Sequence, residues 1–250
     1  VIETRGLLKR YGQLVAVDGL DLSLRPGEVY GFLGPNGAGK TSTLKMLAGL
    51  LSPDAGTIRV AGVDMVASPQ EAKSHLAYIP DRPSLFPELT GLETLRLVAG
   101  LYGLDPAESE GYGARLLEGF GLSAWGDERT GTYSHGMRQK LCFAAALLHR
   151  PQVLILDEPM VGLDPQGGRQ IKELLRSQAS QGVTVFLSLH TLEIAEKLCD
   201  RLGILHHGRL LLEGTVEEIK AAAGSRQDLE GAFLSLTQEG APMAAPGGEA

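Results

Sequence analysis

The sequence predicts an α/β fold: a mainly parallel sheet covered by helices, with an antiparallel β subdomain and an inserted helical subdomain. Three observations predict it. Short, mostly apolar runs at 29–33, 153–156 and 183–189, the first of them unbroken, read as strands of a buried sheet. Segments with apolar residues at helical spacing alternate with them, among them Leu44, Leu47, Ala48 and Leu51 after the first run. Between 82 and 150 the alternation stops, and helical periodicity punctuated by glycine turns takes over.

Each element follows from local chemistry. Residues 15–34 alternate β-type runs with turns: a strand at 20–24, the turn Pro26-Gly27, then the buried strand 29–33. A helix carries Leu44 to Leu51 and stops at Ser52-Pro53-Asp54-Ala55-Gly56. In the insertion, Leu92, Leu95 and Val98 share one helical face, and Leu116, Leu117 and Phe120 another. From Pro151 onward the reading is strand 153–156, helix 171–178, strand 183–189 and helix 192–198, the alternation of a mainly parallel sheet. Runs at 202–206 and 209–212 flank His207-Gly208 and read as a hairpin. The expected organisation is a main unit over 1–223 that includes the insertion 82–150, a helical extension over 224–237, and a disordered tail over 238–250, which is poor in large apolar residues.

Composition removes several function classes. The formal net charge of −7 gives no sign of a basic surface for phosphate backbones, so no nucleic-acid partner is expected. Cys142 and Cys199 form no C-x-x-C pair, which argues for packing rather than for zinc or a disulfide framework. No run approaches the ~20 apolar residues of a membrane-spanning helix. The opening Val1-Ile2-Glu3-Thr4 lacks a targeting pattern, and a cytoplasmic location is expected.

The chemistry begins at Gly34-Pro35-Asn36-Gly37-Ala38-Gly39-Lys40-Thr41, a G-x-x-x-x-G-K-[ST] loop between a buried strand and a helix. Its glycines let successive N–H groups converge on phosphate oxygens, and the following helix adds the positive end of its dipole. Lys40 is placed to reach the β- and γ-phosphates, Thr41 to ligate Mg²⁺, and Ser42 to touch the α-phosphate side. Such a loop predicts a P-loop NTPase core. Asn36 is the only asparagine in the chain, so none remains for a guanine-reading N-K-x-D element. Downstream, the strand 153–156 runs into Asp157-Glu158 and is stopped by Pro159. Side chains alternate along a strand, so the two acids face different ways. Asp157 is assigned to the metal and Glu158 to an attacking water.

Residues 132–140, Thr-Tyr-Ser-His-Gly-Met-Arg-Gln-Lys, precede that strand at the position of the L-S-G-G-Q signature of ABC ATPases. The chain resembles the nucleotide-binding cassette of that family from Ile2 to about Thr237, and looks most like cassettes of ABC-2 or exporter-type systems. Ser134 and Gly136 match the signature's serine and second glycine, whereas Tyr133, His135 and Met137 depart from it. In the family this element closes over ATP held by the phosphate loop of a second cassette. The resemblance therefore implies a dimer, read as a homodimer, that binds and hydrolyses ATP with Mg²⁺. It also implies a separate transmembrane permease that receives the work, and a location at the inner face of the membrane through that permease. Further positions carry over one at a time. Tyr11 stands where an aromatic stacks on adenine, Asp81 where a glutamine contacts Mg²⁺, Asp164 in the D-loop, and His190 where a histidine meets the γ-phosphate. Two other readings stay open: a soluble ABC-fold ATPase acting on DNA or ribosomes, and a regulatory cassette that binds ATP with little turnover.

Overall fold

The computed structural model describes residues 1–222 and 229–238. Two sheets carry the fold. One is antiparallel, ordered β2-β1-β4-β5, from β1 (Ile2–Tyr11), β2 (Leu14–Leu24), β4 (Ala55–Val60) and β5 (Val63–Asp64). The other is ordered β10-β9-β3-β8-β7-β6, from β3 (Val29–Leu33), β6 (Leu76–Ile79), β7 (Val153–Asp157), β8 (Thr184–Leu189), β9 (Arg201–His206) and β10 (Arg209–Gly214). Its neighbours from β9 to β6 run parallel, and β10 closes one edge as an antiparallel hairpin partner.

Every residue of β3, β7 and β8 is buried, as parallel strands covered on both faces must be. Alternation along β3 divides its side chains between two cores. Val29 and Leu33 join a core against the helices, while Tyr30 and Phe32 join one between the two sheets. In the second core the Phe186 ring lies 5.5 Å from Tyr30 and 5.4 Å from Phe32, centroid to centroid. All three rings come from the six-stranded sheet and share their core with Ile2, Leu20 and Ile58 of the antiparallel sheet, and burying one such side chain stabilises by roughly 1.5–3 kcal/mol.

Helices α1 (Lys40–Leu47) and α2 (Pro69–Ser74) precede β6. The span 82–150 then holds α3 (Gly91–Leu101), α4 (Pro106–Gly119) and α5 (His135–Leu147). A capping box of Thr90 and Glu93 opens α3, and Asp105 followed by Pro106 opens α4. Leu95, Leu117 and Phe120 are buried, with Leu92, Val98 and Leu116 packed against them. Helices α6 (Pro165–Ser180) and α7 (Leu192–Leu198) flank β8, and α8 (Val216–Ala222) and α9 (Leu229–Gln238) follow the hairpin.

Two elements are longer than the sequence pattern predicts. Strand β2 starts at Leu14 because it pairs along nearly the whole of β1. Helix α6 starts at Pro165 because Asp164 caps it, its Oδ1 accepting the Gly167 N–H at 2.7 Å. Of the predicted extension, 224–228 lie outside the described residues. So does the predicted tail, apart from Gln238, which ends α9.

Candidate nucleotide site

Residues 34–39 leave the end of β3 and turn into α1, passing close to neighbouring backbone at Gly34 and Gly39. A Cβ at Gly34 would strike the Leu205 carbonyl oxygen, and one at Gly39, whose φ is 105°, would strike that of Ala16. The β9–β10 turn braces the loop from behind: the Gly208 N–H donates to Ala38 O at 3.0 Å, and the Asp18 N–H to Gly208 O at 2.9 Å. Gly37, at φ 80°, has open space around it. No side chain caps α1, so the N–H groups of its first turn remain an anion-ready end. Pro35, Asn36, Gly37 and Thr41 are exposed, while Ala38 is buried and Ser42 half-buried.

Lys40 is 7% exposed, and its Nζ donates to Gly34 O at 2.6 Å and Pro35 O at 3.1 Å. Burial lowers its pKa, and the negative charges of Glu158 and Asp157 act in the opposite direction. Beside the loop stands Tyr11, 49% exposed, its hydroxyl 3.4 Å from Ser42 Oγ.

The two carboxylates come from the tip of β7. Asp157 is 3% exposed and pairs in register with Ser188 of β8. The Ser188 hydroxyl donates to Asp157 Oδ1 at 2.6 Å and accepts the Glu158 N–H at 2.9 Å. Glu158 has φ 47°, a left-handed conformation that a non-glycine residue holds only when its surroundings impose it. Its Oε2 lies 3.3 Å from His190 Nδ1 at the end of β8. Lys40, Asp157, Glu158 and His190 thus gather where β3, β7 and β8 end side by side, at the carboxyl edge where parallel sheets bind ligands. Ser188 was not singled out from the sequence; its one signal is a hydroxyl inside a wholly buried apolar strand.

Asp81 is exposed in the loop after β6. Burial, then the charges of Asp157 and Asp81, raise the pKa of the buried Tyr78 hydroxyl, which has no hydrogen-bond partner. Thr41, Asp157 and Asp81 carry hydroxyl and carboxylate oxygens, the donor type that Mg²⁺ takes, and Gly37 faces open space.

The segment around Ser134 stands apart. Ser134 is exposed and caps α5, its Oγ accepting the Met137 N–H at 3.2 Å, so the helix begins at His135. Gly136 is half-buried beneath Leu163. Tyr133 is buried and donates its hydroxyl to Trp125 O at 2.5 Å. Among the described residues, no hydrogen bond joins residues 134–136 to the phosphate loop.

A phosphate loop, a strand-end carboxylate pair and a helix-capping serine on one α/β core define a P-loop NTPase of the ATP-binding-cassette class. The comparisons agree. The family model described as "ABC transporter" matches residues 17–161. The daunorubicin/doxorubicin resistance ATP-binding protein DrrA of Streptomyces peucetius is 43% identical over 224 residues, covering 90% of this chain and 68% of that protein. The Nod factor export ATP-binding protein I of Burkholderia orbicola is 42% identical over 213 residues, covering 85% and 70% respectively. A solved structure of an ATP-binding subunit of an ABC transporter superposes with TM-score 0.89 at 34% identity, covering 94% of this chain and 99% of that one. The chain belongs to the ABC transporter family, as an ATP-binding subunit, and the ATPase fold of that family is the one it adopts.

Proposed function

We propose that this subunit hydrolyses ATP with Mg²⁺ and powers export through a separate transmembrane permease, working as a head-to-tail pair of cassettes. One observation carries the hydrolytic reading: Glu158, held left-handed beside the buried Asp157, places its carboxylate 3.3 Å from His190 at the edge that also bears Lys40. The phosphate loop and the first turn of α1 receive the triphosphate, with Tyr11 beside Ser42 offering its exposed ring to the base. Thr41 and Asp157 would hold the metal, and Asp81 would add a direct or water-bridged contact; the metal would supply charge neutralisation at the phosphates.

Glu158 accepts a proton from the attacking water, and His190 keeps that carboxylate oriented and donates toward the γ-phosphate. Lys40, now turned to the Gly34 and Pro35 carbonyls, swings to the phosphate oxygens and stabilises the charge that develops there. Ser134 and Gly136 present the capped start of α5 to ATP on the second cassette, and Asp164 begins α6 next to that contact. The permease engages the apolar groove of about 280 Å³ between the loop after β6 and helices α3 and α5, rimmed by the exposed Phe86, Leu97, Leu101 and Tyr102. One relative is named for Nod factor export and another for daunorubicin/doxorubicin resistance, and export is the direction proposed here.

The test is Glu158→Gln. Phosphate release is expected to fall about 10²- to 10⁴-fold, the range of general-base assistance, with nucleotide affinity retained. Wild-type turnover in this variant rejects the assignment.

A further inference from the structure

Helix α5 meets the segment after Glu158 at three successive places. Gln139 is 1% exposed and donates from Nε2 to Pro159 O at 3.4 Å. One turn earlier, and so on the same helix face, His135 places Nε2 3.3 Å from Val161 O. The His135 ring lies against Gly162, where φ is 75° and a Cβ would come within 2.8 Å of Nε2. Gly136 faces Leu163, whose Cδ2 would lie 3.8 Å from a Cβ there. The segment itself is one tight turn, with the Val161 N–H donating to Glu158 O at 3.2 Å.

The other end of that turn is fixed by the Ser188 hydroxyl on the Glu158 N–H. Strand β8 therefore holds where the turn begins, and α5 holds where it goes. Neither His135 nor Gln139 touches the reacting atoms. We infer that His135 and Gln139 are positioning residues for Glu158: through the Val161 and Pro159 carbonyls they set the turn that aims its carboxylate. The inference rests on the proposed role of Glu158.

A consequence follows from the cap. Ser134 caps the same helix that carries His135 and Gln139, so a contact made at Ser134 bears on the body that holds Glu158. In a head-to-tail pair Ser134 serves the partner's ATP and Glu158 its own. The state of one site then sets the geometry of the other through His135 and Gln139.

The experiment measures ATPase kcat, KM and Hill coefficient on the full chain, together with equilibrium ATP affinity and the thermal midpoint. His135→Ala is expected to lower kcat about tenfold, as displacement of a catalytic group by a fraction of an ångström does, and to bring the Hill coefficient toward one. Affinity and midpoint are expected to stay at wild-type values. His135→Gln retains a donor and is expected to recover most of the loss. Gln139→Leu is expected to act in the same sense and non-additively with His135→Ala; should it fail to fold, the half-buried His135 still carries the test. A kcat within twofold of wild type in His135→Ala, or a loss of affinity equal to the loss of rate, overturns the inference. Glu158→Gln in the same assay separates it from the reading beneath: full turnover there refutes the role of Glu158, whereas loss there beside normal His135→Ala rates refutes only the positioning.

Discussion

The phosphate loop and the segment around Ser134 both end in a helix N-terminus able to receive an anion, yet the fold builds them in opposite ways. The loop is gripped from behind by the Leu205 and Ala16 carbonyls and the Gly208 N–H, with Lys40 buried within it. Ser134 stands exposed, and among the described residues the one hydrogen bond of its side chain is the cap to Met137. The first is finished inside the chain. The second is a prepared surface, and under the proposed head-to-tail pairing its phosphate is brought by the second cassette. On that proposal a cassette binds nucleotide by itself while catalysis depends on assembly.

That contrast is easiest to break at its glycines. Gly39→Ala forces a Cβ into the Ala16 carbonyl at a left-handed φ, and backbone strain together with overpacking is expected to cost about 2–3 kcal/mol. Gly136→Ala meets only the Leu163 methyl at 3.8 Å, and folding is expected to change by less than about 0.5 kcal/mol. Urea unfolding of both variants checks the difference. Similar losses at the two positions would mean that the loop is no more constrained than the exposed segment.

Lys40 sharpens the same point through its proton. Burial lowers its folded pKa, so between that value and the usual lysine value the unfolded chain binds more protons than the folded one. Stability therefore rises as pH climbs through this window, and below it the buried charge opposes folding. Lys40→Met removes that charge. Its thermal midpoint near neutrality is expected to hold or rise, and the gain at alkaline pH to disappear. ATP affinity is expected to drop by about 1.5–3 kcal/mol, the worth of a hydrogen bond to a charged group. A fall in midpoint without loss of affinity would show Lys40 to be a structural clasp on the Gly34 and Pro35 carbonyls.

What was legible in the sequence follows the same division. Gly34 to Thr41 and the Asp157-Glu158 pair stand out because residue type and spacing are themselves the chemistry, and strands 29–33 and 153–156 are continuous apolar runs. Ser188 escapes notice because its importance lies in register: only pairing of β7 with β8 puts its hydroxyl on Asp157. Strand β1 is obscured by irregular register around Gly6, which breaks the period-two pattern. The first turn of α6 hides behind Gly167-Gly168, poor helix formers that the Asp164 cap and Pro165 outweigh. The partners of His135 and Gln139 lie some twenty residues or more away, a contact no local pattern reports.

The smallest expected effect bears on the exposed half. Ser134→Ala removes the α5 cap and is expected to cost about 1 kcal/mol of stability, a shift of roughly 2–4 °C for a chain of this size. That loss alone says nothing about function, because any N-cap behaves so. Ser134→Asp keeps a capping oxygen and is expected to keep the midpoint, but it sets a negative charge where the partner's γ-phosphate is proposed to arrive. ATPase activity is then expected to fall in Ser134→Asp while nucleotide affinity of the isolated chain stays level, since the repelled phosphate lies on the other cassette. Undiminished turnover in Ser134→Asp would leave Ser134 as a helix cap and place the second half of the site elsewhere on the surface.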